Sequence, residues 1–260
     1  MITLAHISDL HFGTEDGTLA DRLVEELQAL EPRLVIVSGD LTQRARRTQF
    51  RAARAYLDRL PPFMVVPGNH DIPLYDIGRR AASPMGRYRT MISEELDPFH
   101  LEDDLAVLGL NTTRPQRWKE GSISATQVAL IREVFARAAP EAHRVLFTHH
   151  PFIPPPQFPR MIVVHGQAAA LPVIRAARIE VLLAGHLHLG YAGMVEGGPG
   201  LLSVQAGTAI SRRRRGQPNA YNVIRLGGEA VVVEPRVWDG ERFAPAMPAA
   251  EAGPGAGPAS

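Results

Sequence analysis

The chain contains no cysteine. That absence excludes a disulfide framework, a thiolate-held metal and a cysteine nucleophile, so any bound metal must rest on oxygen and imidazole nitrogen. Long apolar runs are also missing, and none approaches the roughly 18 residues needed to span a bilayer. Met1-Ile2-Thr3-Leu4-Ala5-His6 has no basic leader or small-residue cleavage site and reads as a first strand. The expected location is therefore cytoplasmic, with no membrane partner. Net charge is also small, at +1 over 260 residues, and no aromatics are interleaved with the basic run Arg212 to Arg215. Nucleic acid is thus allowed as a partner but not favoured.

What is present is a regular alternation of apolar runs and helical patterns. Runs at 2–7, 33–37 and 63–66 read as strands. Between them, residues 19–30 and 43–60 carry apolar side chains at three- and four-residue steps, such as Leu19, Leu23, Leu27 and Leu30. Strand-helix-strand order favours a parallel sheet. An irregular excursion at 73–97, with a helix reaching residue 96, precedes a strand at 105–110. A helix at 124–137 follows, opened by Ser124 and Gln127 at capping-box spacing, and then a strand at 144–147. The proline-rich 151–159 cannot be regular, and a helix at 166–177 and a strand at 179–183 come next. Short strands at 201–205, 220–226 and 230–234 then suggest a meander, with turns at Gly227-Gly228 and Trp238-Asp239-Gly240. This order predicts an α/β fold of four α-β-β-α layers, two mixed sheets face to face with helices outside. One domain should cover 1–245, and the Ala/Gly/Pro-rich tail, 246–260, should be disordered.

Five short clusters each follow an apolar run. Asp9 and His11, two apart, can present a carboxylate and an imidazole to one ion from a slightly extended backbone. Asp40, after Gly39, offers two oxygens, enough to bridge two ions, although capping the next helix is the bland alternative, open to Asp40 or Thr42. In Pro67-Gly68-Asn69-His70-Asp71, an ordinary turn signal, Asn69 can bind through its amide oxygen, and His70 can face a phosphate to stabilise it or protonate a leaving group. One of His149 and His150 should be a ligand, and the residues alone do not choose between them. His186 and His188 flank Leu187, which should point into the core. The C-terminal edge of an α/β sheet is where such sites gather, and the joint pattern suits a two-metal centre for hydrolytic phosphorus chemistry.

Taken in order, these blocks resemble the calcineurin-like metallophosphoesterases: D-x-H at Asp9/His11, G-D at Gly39/Asp40, G-N-H-D at residues 68–71, His149 two before Pro151, and G-H-x-H at residues 185–188. The resemblance spans residues 1–237. It implies one ion held by Asp9, His11, Asp40 and His188, a second held by Asp40, Asn69, His149 and His186, and His70 as the phosphate-facing catalytic residue beside Asp40. His150 would then be a supporting or substrate-lining residue. Within the family the chain is most similar to the class III cyclic-nucleotide phosphodiesterase and glycerophosphodiesterase branch. The implied activity is hydrolysis of small phosphodiesters by a metal-bound hydroxide, with Mn, Fe, Zn or Co as the ions.

Selectivity must come from loops. Residues 152–161, with Phe152, Phe158 and Arg160, are the leading wall, and residues 72–89, with Tyr75, Tyr88, Arg79 and Arg80, the second. Arg212 to Arg215 could touch a substrate, but four solvated arginines on a surface loop are the expected reading. His6 is expected to be a core or supporting histidine, and His165 solvent-facing unless it approaches the pocket. The alternatives to a phosphodiesterase are a phosphomonoesterase, a DNA nuclease and a metal-binding scaffold without turnover.

Overall fold

The apolar runs form strands because both of their faces are buried, which is the condition for near-continuous Val/Ile/Leu sequences in a sheet. In the computed structural model, which describes residues 1–159, 161, 163–195, 200–228 and 230–246, the chain runs as follows. Strand β1 (Ile2–Ile7), α1 (Gly17–Leu30), β2 (Leu34–Val37), α2 (Arg47–Leu57) and β3 (Phe63–Val65) open it. Next come α3 (Ile77–Ala82), α4 (Gly86–Met91), β4 (Phe99–Leu101), β5 (Leu105–Leu110), α5 (Ala125–Ala136), β6 (His143–Thr148), α6 (Gln167–Ala176) and β7 (Val181–Ala184). Five further strands complete it: β8 (Tyr191–Met194), β9 (Leu202–Gln205), β10 (Ala220–Leu226), β11 (Val232–Trp238) and β12 (Phe243–Pro245).

The strands make two six-stranded mixed sheets, ordered β12-β11-β10-β1-β2-β3 and β4-β5-β6-β7-β9-β8. In the first, β1, β2 and β3 are parallel and the β10–β12 meander adds antiparallel at β1. In the second, β5, β6, β7 and β9 are parallel, with antiparallel edges at β4 and β8. Alternate residues sort to the two faces of each sheet. Leu4, Leu34 and Ile36 meet Val107, Val145, Phe147, Val181 and Leu183 in the core between the sheets. Ala5, Val35 and Val37 turn outward onto Leu23 and Leu27 of α1 and Phe50 of α2. Leu146 and Leu182 turn outward onto Ile131 of α5 and Ile174 of α6. Four layers, helix-sheet-sheet-helix, result.

Several expected boundaries move, each for a local reason. The helix expected from residue 43 begins at Arg47, because Thr42 Oγ1 accepts the Ala45 N–H, the Gln43 carbonyl accepts from His70, and Ala45 is left-handed at φ 49°. Its cap is supplied by Gln49, whose Oε1 accepts the Arg46 N–H, and not by Asp40 or Thr42. The excursion forms two short helices, and the second stops at Met91 rather than reaching residue 96. The expected meander strand at 201–205 instead pairs parallel with β7. Strands β4, β8 and β12, three or four residues each, carry no readable pattern. Ser124 does cap α5, accepting the Gln127 N–H. Apart from Ala246, the tail expected at 246–260 lies outside the described residues.

Candidate metal centre

Seven parallel strands end on one edge, and the polar clusters leave from the C-terminal ends of five: Asp9 and His11 after β1, Asp40 after β2, Asn69 after β3, His149 after β6, and His186 and His188 after β7. Thr208 follows β9 in the same way. The clusters do not leave in an extended conformation. Asp9 (φ 55°), His11 (48°), Asp40 (52°), His186 (71°) and His188 (59°) are all left-handed. That region is unfavourable for side-chain-bearing residues by about 1–2 kcal/mol each and concentrates at functional sites. In both D-x-H and H-x-H, alternation of left-handed residues rather than strand geometry brings the two side chains to one side. Leu187 between the histidines is buried.

Two motif glycines are required by close approach. A Cβ on Gly68 would lie 2.1 Å from Asp40 Oδ1 and 2.2 Å from the Asp40 nitrogen, and one on Gly185 would lie 1.8 Å from Ser8 Oγ. Asp71 brackets the turn, its carboxylate accepting from the N–H groups of Gly68, Leu41 and Thr42 and from the Thr42 hydroxyl. Burial and the charge of Asp40 nevertheless push the Asp71 carboxyl up to about 6.

The donor atoms fall into two sets. Asp9 Oδ1, Asp40 Oδ2 and His188 Nε2 surround His11 Nε2 at 3.5, 3.6 and 3.4 Å, and His188 Nε2 is 3.4 Å from Asp9 Oδ1. In the second set, His149 Nε2 lies 3.4 Å from Asp40 Oδ1, 3.1 Å from Asn69 Oδ1 and 3.3 Å from His186 Nδ1, which is 3.0 Å from Asn69 Oδ1. Such separations are what ligands at bond lengths of about 2.1 Å from a common centre leave between them. Asp40 contributes one oxygen to each set.

Hydrogen bonds behind the rings fix where the lone pairs point. His149 Nδ1 donates to the Ser38 carbonyl at 2.8 Å, which leaves Nε2 to face Asp40 and Asn69. His188 Nδ1 meets Thr208 Oγ1 at 2.6 Å, leaving its Nε2 toward His11. Among the described residues, Asp9 Oδ1, fully buried, has no hydrogen-bond partner. Carboxylate and amide oxygens converging with imidazole nitrogens, an orphaned carboxylate oxygen among them, fit divalent cations.

The electrostatics agree. Burial disfavours the Asp40 carboxylate, but the imidazoles of His149, His70 and His11 outweigh it and hold the carboxyl well below its usual range. Asp9 is held low in the same way, against burial, by His188, His11 and His149. Burial opposes charge on His149 too, yet Asp40 and Asp9 together raise it to about 9. Burial, followed by the His149 charge, drives His186 down to about 3.

The other sequence-predicted residues are placed as follows. His70 donates from its backbone N–H to Asp40 Oδ1 and from Nδ1 to the Gln43 carbonyl, both at 2.8 Å. His150 is buried with Nδ1 2.8 Å from Thr112 Oγ1, Nε2 unpartnered, and its ring 4.5 Å from that of His186. It is His149, not His150, whose Nε2 faces Asp40 and Asn69. Phe152 offers no wall surface: it is 3 % exposed and packs in the cluster under α5 and α6, because the 151–164 loop closes on itself through Val164 N–H to the Pro151 carbonyl. Phe158 is exposed, and Arg160 lies outside the described residues. Tyr88 belongs to the core, bonding the Val65 carbonyl, and Arg80 is buried on the carbonyls of Pro73, Pro115 and Arg117. His6 is buried on Ser38 Oγ, and His165 is exposed, 2.9 Å from Glu120. The basic run is not simply solvated, for Arg213 Nη1 lies 2.8 Å from His70 Nε2. Ser38 and Thr208 were given no role from the sequence, and Asp71 was named only as part of its motif. Thr208 had a usable signal, its place just past a strand on the same edge.

Residues 2–190 match the family model described as Calcineurin-like phosphoesterase. The chain belongs to that family. It is 29 % identical over 213 residues to a cAMP/cGMP dual specificity phosphodiesterase of Mycobacterium tuberculosis (strain CDC 1551 / Oshkosh), covering 71 % of this chain and 61 % of the relative, less than two thirds of its length. It is 26 % identical over 255 residues to a probable cyclic nucleotide phosphodiesterase of Rhodococcus erythropolis (strain PR4 / NBRC 100887), covering 88 % of this chain and 81 % of the relative. A dimetal phosphatase from Danio rerio superposes with a TM-score of 0.66 at 16 % identity over 91 % of this chain and 96 % of that one, a likeness of fold.

Proposed function

We propose that this chain is a dinuclear metal-dependent phosphodiesterase acting on small diesters of the cyclic-nucleotide or glycerophosphodiester type. The observation that carries the reading is the division of one carboxylate, with Asp40 Oδ2 facing His11 and Oδ1 facing His149. Asp9, His11, Asp40 and His188 would hold one ion, and Asp40, Asn69, His149 and His186 the other. An oxygen and imidazole donor set suits Mn, Fe, Zn or Co. When bound, such a pair supplies Lewis acidity and an activated water for in-line displacement at phosphorus.

The chain's own groups orient the ester. His70 is fixed at two points, its backbone N–H on Asp40 and its Nδ1 on Gln43, so Nε2 holds one position facing the reacting group, where it serves the leaving oxygen. His150, buried against His186, keeps that side of the centre dry. Tyr75 and Trp118 stand 70 % and 51 % exposed on two loops that Arg80 ties together. The similarity to two cyclic-nucleotide phosphodiesterases supports the substrate class.

The test is a panel on Mn²⁺-reconstituted protein: bis(p-nitrophenyl) phosphate, p-nitrophenyl phosphate, 2′,3′- and 3′,5′-cyclic nucleotides and glycerophosphodiesters. The diesters should turn over faster than the monoester. The reverse preference would overturn the substrate class, and full metal occupancy with no turnover would favour a non-catalytic scaffold.

A further inference from the structure

The backbone turns successive arginines of the run of four in different directions. Arg212 Nε lies 3.5 Å from Asp16 Oδ2, and Arg212 and Arg214 line a cavity with Thr18, Asn219 and Trp238. Arg213 turns the other way, placing Nη1 2.8 Å from His70 Nε2.

The position of Arg213 is built, not incidental. Its N–H donates to Ser211 Oγ at 3.1 Å, and its carbonyl accepts from Thr208 Oγ1 at 3.4 Å, the same hydroxyl that meets His188 Nδ1 at 2.6 Å. The loop is closed by Asn219 Nδ2 donating to the Ser211 carbonyl and is tied to the His188 segment by the Gly190 N–H on Gln217 Oε1, both at 2.9 Å. Among the described residues, neither Arg213 nor Arg215 has a carboxylate ion-pair partner.

The hydrogen bond to His70 is a resting contact for such a group. A carbonyl only accepts, so the bond to Gln43 puts the His70 ring proton on Nδ1 and leaves Nε2 as acceptor for the Arg213 N–H. A neutral imidazole is a weaker partner for guanidinium than a phosphate oxygen, which is charged and can be gripped at two points. While Arg213 occupies Nε2, that atom cannot serve a leaving group.

We propose that Arg213 is a substrate-binding residue that passes its hydrogen bond from His70 Nε2 to a non-bridging phosphoryl oxygen, leaving Nε2 open to take up a proton from solvent and pass it to the leaving oxygen. The assignment rests on the phosphoesterase reading of the centre. Arg212 and Arg214 take no part.

Inorganic phosphate is the probe, titrated calorimetrically into Mn²⁺-loaded protein whose metal content is measured for every variant. Arg213→Met should weaken phosphate binding by roughly 10- to 100-fold with both metals retained, the range for loss of a hydrogen bond to a charged group. Arg213→Lys, which keeps the charge but not the fork, should fall between, and Arg214→Met should match the wild type. On bis(p-nitrophenyl) phosphate, Arg213→Met should raise KM, since it removes a contact to the bound ester while leaving His70 Nε2 unblocked. Fully metallated Arg213→Met that binds phosphate like the wild type overturns the assignment, even if the wild type hydrolyses diesters. A wild type that binds phosphate through Arg213 yet cleaves no ester supports it while sinking the phosphodiesterase reading.

Discussion

In the metal-free protein His149 carries a proton that an incoming ion must displace. Burial alone would strip that proton, but Asp40 at 3.4 Å and, further off, Asp9 outweigh it and raise the group to about 9. A raised histidine contributes stability that is complete below its unfolded value of about 6.5 and is lost as pH climbs through about 9, so the apoprotein should weaken over that window. Metal affinity should move the opposite way, strengthening with pH and levelling above about 9. His186, already driven down to about 3, has no proton to give at neutral pH. Calorimetric Mn²⁺ titration at pH 7.5 in two buffers of different ionisation enthalpy should therefore report release of roughly one proton. No release would mean that His149 is not a ligand.

The turns that carry the ligands are tighter than their sequences suggest. At Gly68-Asn69-His70-Asp71, the Gly68 Cα passes so close to Asp40 that no Cβ fits, and Asp71 ties the turn to residues 41 and 42. Gly68→Ala should cost roughly 1–3 kcal/mol in chemical denaturation, as overpacking does, and lower metal occupancy at the same time. Wild-type stability and occupancy would contradict the geometry. The order of motifs was legible, as were β1, β2, β3, β5 and β6, because strands buried on both faces write themselves as apolar runs. The left-handed backbones at Asp9, His11, Asp40, His186 and His188 were not legible, since nothing local in a non-glycine residue announces a conformation imposed by packing. Nor could the basic run reveal that Arg213 faces the centre and Arg214 does not, because four like residues read alike whichever way each side chain turns. Phe152 misled for a related reason: a proline-rich loop looks exposed until its closure is known.

At the scale of the molecule, the centre lies across the seam between the sheets. Asp9, His11, Asp40 and Asn69 leave one sheet, and His149, His186 and His188 leave the other. Polar contacts such as His149 Nδ1 to the Ser38 carbonyl and Ala209 N–H to the Ser8 carbonyl join the two edges there. Ions bound at that seam act as a clamp that exists only in the folded state, so chelation should lower Tm. At metal concentrations near 100 times Kd the linkage is about 2.7 kcal/mol, or roughly 5–10 °C for a chain of this size, readable by scanning calorimetry with and without EDTA. No helix among the described residues is long and apolar enough to cross a membrane. The most direct measurement of the central claim is anomalous diffraction from crystals grown with Mn²⁺. Two peaks about 3.5–4 Å apart, one on each oxygen of Asp40, are the expected result; a single peak, or peaks that leave Asp40 bridging nothing, would contradict the account.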